Sequence, residues 1–454
     1  MKAITVIGGG VTGLAAAYFL QQSMPGTSIS LVESSKRLGG KLLTNRIGNT
    51  AAEAGPDSIV ARNSVITRLC SDLGLEQSLI RPKTSKSYLW TRNRLRPIPE
   101  GVFGGYPSHG LLPLWRTHVL SFPGIARTAM DLVLPRTEVA EDISIGKLAE
   151  SRFGREFKTT LVDPLIGGLM SCNSSYLSAR ELMPGLFSLA KTSRSVLRAS
   201  RARASVAESM PFFSFRGGVA ELTDKLNAAT GKVQKKTGVE VKEMSRREGR
   251  WHITGEGLEI ESDAVIACLP AHAAAPVLKS EAALSSALAE IRYTSVANVV
   301  FGYGSADFKP PVEGSGFLVP EKEGLLMTGC TWLSSKWSSA EAEGLYLVRC
   351  FVGTPDSVSW MDMGDEELVS ELHRELGAIM KINGKPLQFI VTRWQNGLPR
   401  YGVGHMELVS KIHSLCPPGL FLAGAAFSGI GISSCVADAK RAADSAAAYC
   451  SAGS

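Results

Sequence analysis

The start of the chain combines two strand patterns and one helix pattern around a cluster of glycines. Residues 2–7 are mostly apolar with little alternation, which is typical of a strand buried on both faces of a parallel sheet. Residues 14–20 are apolar at helical spacing and predict a helix packed on this strand. Residues 27–32 predict the next strand, so the segment indicates a strand–helix–strand unit.

The rest of the chain mixes both patterns, which indicates an α/β protein. Residues 83–101 carry turn signals and basic side chains. The remaining predicted elements are short helices over 110–135, a mostly helical stretch over 143–203, hairpin strands over 231–244 and 251–269, further strands over 296–303 and 345–353, an amphipathic helix over 363–380, and a strand, glycine turn and helix over 419–448.

Composition narrows the class of protein. The 454 residues are 44% apolar and 20% charged, which excludes a disordered or fibrous chain. The net charge of +7 suits an acidic small molecule or an anionic lipid, and it is too dilute to indicate a nucleic-acid partner. The eight cysteines show no zinc spacing, so no metal site is expected. No targeting segment or long apolar run is visible, which predicts a cytoplasmic protein with peripheral membrane contact left open.

A glycine-rich turn follows the first predicted strand and matches the G-x-G-x-x-G pattern. Its residues are Gly8, Gly9, Gly10, Val11, Thr12 and Gly13. In this pattern the first glycine permits the tight turn, the second lets the backbone approach a diphosphate, and the third allows close packing of helix on strand. The helix N-terminus offers free N–H groups to the same diphosphate. A purely structural glycine turn is the alternative.

Glu33 supports the nucleotide interpretation. It stands at the end of the second predicted strand, where a carboxylate can accept both ribose hydroxyls. The carboxylate would repel a 2′-phosphate, so NADP is disfavoured. A solvated glutamate at a strand end is the alternative.

A second glycine-rich turn, near the C-terminus, favours FAD over NAD. Residues 422–432 lead into the predicted C-terminal helix, whose N-terminus can stabilise negative charge on a reduced flavin. The glycine pair at residues 39–40 and the tight segment 53–58 lie between the two ends. Two helix N-termini from opposite chain ends suit one long dinucleotide.

Several segments together resemble a known family. They read VESSKRLGGK at 32–41, EAGPDS at 53–58, PIPEG at 97–101, FFSFRGG at 212–218 and YGVGH at 401–405, with residues 387–399 and the tail 424–435. The chain resembles the flavin-dependent protoporphyrinogen/coproporphyrinogen oxidases of the amine oxidase and phytoene desaturase superfamily. Its short length and its GGK and GPDS segments are more similar to the coproporphyrinogen III oxidases of Gram-positive bacteria.

The resemblance implies an architecture and a cofactor site. It implies a Rossmann-like FAD-binding domain of discontinuous segments (1–80, 221–285 and 391–454), a substrate and helical membrane-facing region (81–220) and a mixed-sheet substrate domain (286–390). The FAD contacts that it implies, with those of the glycine turn, are Gly8, Gly9, Gly10, Val11, Thr12, Gly13, Glu33, Ser34, Lys41, Gly55, Pro56, Asp57, Ser58, Val241, Ala425, Ile430, Gly431 and Ile432.

The resemblance also implies a reaction. Six electrons leave a porphyrinogen in three two-electron steps through the flavin, with molecular oxygen as acceptor and H2O2 as product, followed by handover to a downstream haem-synthesis enzyme. We expect no catalytic base, because the electron-rich pyrroles drive hydride loss and the protein has to position the substrate and exclude water. The anionic propionates predict arginine contacts, for which the candidates are Arg62, Arg96, Arg194 and Arg198.

Four other interpretations remain open. Arg194, Arg198 and Arg201 recur at helical spacing, which predicts one basic helix face that could equally be solvated or contact a membrane. Protoporphyrinogen IX is an alternative substrate, and an amine oxidase or carotenoid desaturase would use the same flavin platform. A non-catalytic nucleotide-binding chaperone is the alternative from another class.

Overall fold

The structure is a computed structural model that describes residues 2–61, 63–102, 105–138, 141–203, 212–308, 310–341, 344–382 and 384–452. The strands are β1 (Ala3–Ile7), β2 (Ser28–Glu33), β3 (Thr44–Ile47), β4 (Thr50–Glu53), β5 (Ile59–Val60), β6 (Leu79–Ile80), β7 (Tyr88–Thr91), β8 (Arg94–Pro97), β9 (Phe212–Phe215), β10 (Gln234–Thr237), β11 (Val241–Arg247), β12 (Arg250–Gly255), β13 (Leu258–Ser262), β14 (Ala264–Ala267), β15 (Tyr293–Gly304), β16 (Gly316–Leu318), β17 (Met327–Trp332), β18 (Leu345–Val352), β19 (Gln388–Pro399) and β20 (Leu420–Leu422).

The helices alternate with these strands in the outer parts of the chain and dominate its second quarter. They are α1 (Val11–Ser23), α2 (Ser64–Asp72), α3 (Leu112–Thr117), α4 (Phe122–Ala129), α5 (Ile145–Phe153), α6 (Arg155–Phe157), α7 (Asp163–Met170), α8 (Ala179–Leu182), α9 (Pro184–Thr192), α10 (Val196–Arg203), α11 (Ala220–Ala229), α12 (Ala271–Val277), α13 (Ala282–Ala289), α14 (Leu333–Lys336), α15 (Asp365–Met380), α16 (His405–Leu415) and α17 (Ile432–Ala452).

A parallel sheet joins both ends of the chain. Within the described residues its strand order is β10-β2-β1-β14-β20. The helices α1 and α17 pack against each other on one face, where small side chains such as Ala16 and Ala443 are fully buried and allow close approach. This arrangement confirms the predicted strand–helix–strand unit and a sheet built from discontinuous segments.

A larger mixed sheet lies beside the parallel one. Its described strands follow the order β19-β15-β18-β17-β16-β7-β8, and they are antiparallel except for the β16–β7 pair. The amphipathic helix predicted over 363–380 is α15, which begins after Gly364 and packs its apolar face on this sheet. The predicted strands over 296–303 and 345–353 are β15 and β18.

The helical region from α3 to α10 has its own core. Its apolar cluster includes Leu114, Phe153 and Leu186, all fully buried. At its centre Asp131 and Arg152 form an ion pair at 2.5 Å that is removed from solvent. The predicted helical stretches over 110–135 and 143–203 are confirmed.

Two regions differ from what the sequence predicts. Residues 83–101, which carry turn signals, also contain the hairpin β7–β8, for which no strands were predicted; Arg92 and Asn93 adopt left-handed conformations that close its two-residue turn. Residues 231–244 do not form one strand of a hairpin. Instead β10 joins the parallel sheet next to β2, the chain turns at Gly238 with φ +74°, and β11 starts a separate antiparallel sheet.

Candidate functional site

The N-terminal turn (residues 8–13) depends on glycine for steric reasons. Gly8 has φ +101°, and a Cβ on it would lie 2.7 Å from Cys268 O. A Cβ on Gly13 would lie 1.8 Å from Gly8 O. Gly10 differs, because the nearest atom to a Cβ there is Gly40 Cα at 3.9 Å. The space in front of Gly10 is therefore open, as a site that admits a ligand to the backbone requires.

Glu33 lies against this turn. Its Oε2 accepts a hydrogen bond from Gly9 N at 2.6 Å, and its Oε1 accepts bonds from Ser35 N at 2.7 Å and Ser34 Oγ at 3.2 Å. Val241, the first residue of β11, is buried nearby, since Val239 N bonds Glu33 O at 3.0 Å. The side chains predicted to contact the adenosine half therefore lie together.

The segment 39–41 covers the same turn. Gly39 N donates to Gly9 O at 2.8 Å, and a Cβ on Gly40 would lie only 2.9 Å from Gly10 Cα. The Lys41 ammonium has no ion pair or hydrogen bond within the described part of the chain. Burial lowers the pKa of Lys41. A desolvated cation without an anionic partner is suited to bind a ligand phosphate or a reduced flavin.

The tail turn (residues 424–431) meets the N-terminal turn. Gly424 has φ +132°, and a Cβ on it would lie 3.8 Å from Thr12 Oγ1. Thr12 also lies close to Cys435 on α17, where its hydroxyl acts to lower the pKa of the buried thiol. Gly424 N is held by Asp438 Oδ2 at 2.8 Å. Glycine turns from opposite ends of the chain thus converge, as the sequence predicts.

Two side chains that the sequence analysis did not place at the site hold the tail turn in position. Tyr401 Oη donates to Ala425 O at 2.5 Å and accepts from Gly429 N at 2.6 Å. His405 stacks on the Tyr401 ring at 4.2 Å, and its Nε2 lies 3.0 Å from Ala426 O. The turn therefore keeps one conformation through two aromatic side chains outside the glycine motif.

Residues 430–432 lie at the junction of two cores. Ile430 packs against the helical region, whereas Ile432 packs within the core of the parallel sheet. Gly431 between them is exposed and immediately precedes α17. Its backbone is accessible at the N-terminus of a long helix.

The 53–58 segment is held by the mixed sheet. Ala54 O accepts bonds from Asn298 Nδ2 at 2.6 Å and Trp394 Nε1 at 2.8 Å. Arg349 donates to Glu53 O at 3.1 Å and Gly55 O at 2.8 Å. Gly55 needs its lack of a side chain, because a Cβ would lie 2.2 Å from Lys41 O.

The Asp57 carboxylate is buried and bonds to side chains of the protein itself. Its Oδ2 lies 2.8 Å from Lys336 Nζ, 3.1 Å from Trp337 Nε1 and 3.4 Å from an Arg349 nitrogen. Burial alone would raise the pKa of Asp57, but the two cations hold it well below its usual range. Ser58 Oγ bonds Asp57 Oδ1 at 3.1 Å. The predicted cofactor contact of Asp57 would therefore require its backbone, which lies next to the exposed Pro56.

Glu53 is a buried carboxyl in the same network. Its Oε1 accepts Val219 N and its Oε2 accepts Thr44 Oγ1, both at 2.9 Å. Burial raises the pKa of Glu53 to about 7, in spite of these bonds. It links the hairpin β3–β4 to the start of α11.

The structure describes three of the four arginines proposed for substrate. Arg62 lies outside the described residues. Arg96 on β8 has a buried Nε without a partner, and burial lowers its pKa, with Arg92 and Arg94 adding to the effect. Arg198 is exposed on α10. The predicted common helix face is wrong for Arg194, because the chain leaves the helical conformation after α9 and Arg194 bonds Val133 O at 3.1 Å instead.

The residues at the converging turns fit a flavin nucleotide. Helix α1 begins without a side-chain cap, so its first N–H groups are available to an anion. The open approach to Gly10 and the unpaired Lys41 lie at the same place. Comparison with known families agrees: the model for flavin-containing amine oxidoreductases matches residues 11–447. The chain belongs to this family. It is a flavin-dependent oxidoreductase.

Individual relatives match over nearly the whole chain. Coproporphyrinogen III oxidase from Bacillus subtilis is 31% identical, over 99% of this chain and 98% of that protein. Coproporphyrinogen III oxidase from Staphylococcus aureus is 29% identical, over 98% of each. A crystal structure from Exiguobacterium sp. 255-15 superimposes with a TM-score of 0.90 at 29% identity, over 98% of this chain and 99% of that one. UDP-galactopyranose mutase shares the fold, with a TM-score of 0.75 at 15% identity over 98% of this chain and 95% of that one.

Proposed function

We propose that this chain carries out the FAD-dependent oxidation of coproporphyrinogen III to coproporphyrin III in haem biosynthesis. The observation that carries the proposal is the 31% identity to a coproporphyrinogen III oxidase over 99% of the chain, which includes both glycine turns and the 53–58 segment. Mammalian protoporphyrinogen oxidases, at 28% identity, make protoporphyrinogen IX the alternative substrate.

The proposed cofactor is FAD, because the converging turns suit a long dinucleotide. The adenosine half would contact Glu33 and Val241, the diphosphate would contact Gly10 and the start of α1, and the flavin would lie near the tail turn and Gly55. When bound, the flavin accepts two electrons from the substrate and passes them to O2. Three such rounds convert one porphyrinogen and three O2 into one porphyrin and three H2O2, which balances six electrons and six protons.

The chain's own residues position the reactants. Asn298 and Trp394 fix Ala54 O, and Tyr401 fixes the tail turn, so both loops beside the flavin are pre-organised. The Asn298 Oδ1 is buried without a partner, which suits a ligand donor at this place. The proposal includes no catalytic base, because the electron-rich pyrroles drive hydride loss.

Anaerobic mixing of the FAD-loaded protein with coproporphyrinogen III tests this function. With at least three FAD-loaded protein molecules per substrate, we expect the visible flavin absorbance to fall as porphyrin absorbance rises, because each flavin takes up two of the six electrons. Subsequent admission of air should yield three H2O2 per porphyrin. Bleaching by protoporphyrinogen IX but not by coproporphyrinogen III would assign the alternative substrate. Bleaching by an amine alone would contradict both, and a protein that cannot be loaded with FAD would favour the non-catalytic chaperone.

We also propose peripheral membrane contact through the α3–α4 region. Trp115 and Phe122 are 51% and 70% exposed, and their rings meet edge to face at 6.2 Å. The exposed Arg116 lies next to Trp115 on α3, as expected for contact with anionic lipid. No helix in the described part of the chain meets the length and hydropathy needed to span a bilayer.

The wild type should sediment with vesicles that contain anionic lipid, whereas a Trp115→Ser/Phe122→Ser variant should stay in the supernatant. Equal sedimentation of both proteins would contradict the contact. Cytoplasmic location and handover of the porphyrin to a downstream enzyme stay predictions from sequence.

A further inference from the structure

A cavity of about 440 Å³ opens between α12 and the adjoining ends of β15 and β19. This volume lies within the roughly 300–1,000 Å³ range of small-molecule sites. The polar and aromatic lining residues are His272, Arg292, Tyr293, Asn396 and Arg400. The lining has no acidic residue, so its charge is positive.

The two arginines of this cavity occupy opposite positions on neighbouring strands. Tyr293 pairs with Pro399 in the antiparallel ladder, and Arg400 N donates to Arg292 O at 2.8 Å one step beyond it. Like charges placed directly opposite in an antiparallel pair are destabilising. An anion between two such side chains would remove this repulsion.

Neither guanidinium has an acidic partner within the described residues. Arg400 Nε donates to Thr294 Oγ1 at 2.9 Å, which leaves its terminal nitrogens available. Arg292 is exposed and forms no side-chain hydrogen bond within the same residues. Paired planar guanidinium groups match the geometry of a carboxylate, to which arginine donates two parallel bonds.

The backbone beside the cavity is irregular at Asn396, whose side chain is a further hydrogen-bond donor. The β15–β19 register shifts between Thr294 and Val296, and Asn396 adopts a left-handed conformation with φ 46°. Bulges of this kind occur next to active sites, and non-glycine residues in that conformation cluster where ligands bind. The Asn396 side-chain amide lines the cavity and can donate to an anion.

The cavity adjoins the candidate cofactor site. Tyr401, the residue after Arg400, bonds the tail turn, and Trp394, two residues before Asn396, bonds Ala54 O. Burial and the nearby Lys41 ammonium lower the pKa of His272, which places the cavity within electrostatic reach of the N-terminal turn. A group bound here would therefore lie close to the candidate cofactor site.

We propose that this cavity binds a carboxylate group, held by Arg292 and Arg400 with the Asn396 amide as a further donor. The source that fits the site is a propionate arm of the tetrapyrrole, an identification that rests on the proposed function. A small free carboxylic acid offers the same chemistry, and the test distinguishes the two sources.

The test titrates the FAD-loaded full chain with coproporphyrin III and, separately, with citrate. The variant is Arg292→Gln/Arg400→Gln. Its matched control is Arg246→Gln/Arg247→Gln, which removes the same two charges from exposed positions of β11. We expect the Kd for the carboxylate ligand to rise roughly tenfold for each arginine of the cavity, and to stay unchanged in the control.

A second readout separates ligand binding from structural damage. Without ligand, the Arg292→Gln/Arg400→Gln variant should melt at or above the wild-type Tm, because the like-charge pair is gone. The Tm increase that the ligand causes in the wild type should be absent. Should the double variant fail to fold, the single Arg292→Gln variant, at an exposed position, carries the same test.

The outcomes are distinct. Weaker binding of coproporphyrin III assigns the carboxylate to the tetrapyrrole, and weaker binding of citrate alone assigns it to a free acid. Unchanged affinity for both ligands overturns the cavity proposal. A wild type that binds citrate through these arginines but binds no porphyrin contradicts the proposed function and leaves the cavity proposal standing.

Discussion

The N-terminal turn and the 53–58 segment meet at Lys41, yet they are held by different kinds of interaction. The turn is fixed by close backbone contacts, of which the tightest, that of Gly13 with Gly8 O, lies within the glycine motif itself. The 53–58 segment is fixed by side chains far along the chain: Asn298 and Arg349 lie 244 and 296 positions from the residues that they bond. The glycine motif of the turn can therefore be recognised from the local sequence, whereas the contacts that hold the 53–58 segment form only in the assembled fold.

The largest expected effect concerns the 53–58 segment, which side chains from distant parts of the chain hold in place. Asp57→Ala leaves Lys336 and the buried Arg349 without their counter-charge, and removal of one partner from a buried ion pair costs about 3–5 kcal/mol. Urea denaturation should show a loss of unfolding free energy near the lower end of this range, since Lys336 is partly exposed. Glu313→Ala, which breaks an exposed pair with Lys86, is the control and should change the free energy of unfolding little. Equal effects of the two variants would contradict the structural role of Asp57.

In the N-terminal turn, the addition of one methyl group should have different effects at two glycines. Gly13→Ala places a Cβ against Gly8 O and should destabilise the fold by about 3 kcal/mol. Gly10→Ala has room for the Cβ and an ordinary φ of −70°, so it should fold normally. It should nevertheless lose flavin during purification, because the methyl group occupies the approach to the diphosphate. A Gly10→Ala protein that keeps its flavin would show that the cofactor does not use this turn.

Glu53 adds a pH dependence that belongs to the 53–58 segment. Its folded-state pKa of about 7 lies above the usual 4.5, so the native state holds a proton that the unfolded state releases. Stability from this group is complete at low pH and is lost as pH rises from about 4.5 to 7, by at most about 3 kcal/mol. Glu53→Gln should remove this slope in denaturation curves between pH 5 and 8. If the free energy of unfolding changed with pH in the same way in the variant and the wild type, the assignment to Glu53 would be wrong.

The smallest effect concerns the tail turn. Tyr401→Phe loses the hydroxyl that bonds Ala425 O and Gly429 N, and this should cost about 1–3 kcal/mol. The loss should appear both in the free energy of unfolding and in flavin retention, because the turn becomes less ordered. Tyr176→Phe, which removes an exposed hydroxyl bonded to Asp356, is the control. Equal flavin retention in the Tyr401→Phe and Tyr176→Phe proteins would contradict the positioning role.

The same contrast explains how far sequence reasoning reached. The elements β1, α1 and β2 and the roles of Gly8 and Gly13 depend on local periodicity and sterics, and they were predicted. The hairpin β7–β8 was missed because Arg92 and Asn93 carry none of the usual glycine signal for a two-residue turn. The positions of Tyr401 and Arg349 at the site depend on strand pairing across hundreds of residues, which no local pattern encodes. Arg194 was misplaced because the break after α9 has no proline or glycine to mark it.

The central claim is that the turns at both ends of the chain hold the two halves of one FAD. Titration of the apoprotein with FAD and with FMN tests it most directly. If Glu33, Gly10 and the N-terminus of α1 bind the adenosine diphosphate half, FAD should bind at least about a hundredfold more tightly than FMN, since several charge-assisted contacts are absent with FMN. The Gly10→Ala variant should remove most of that difference. Equal affinity of the wild type for FAD and FMN would contradict the claim.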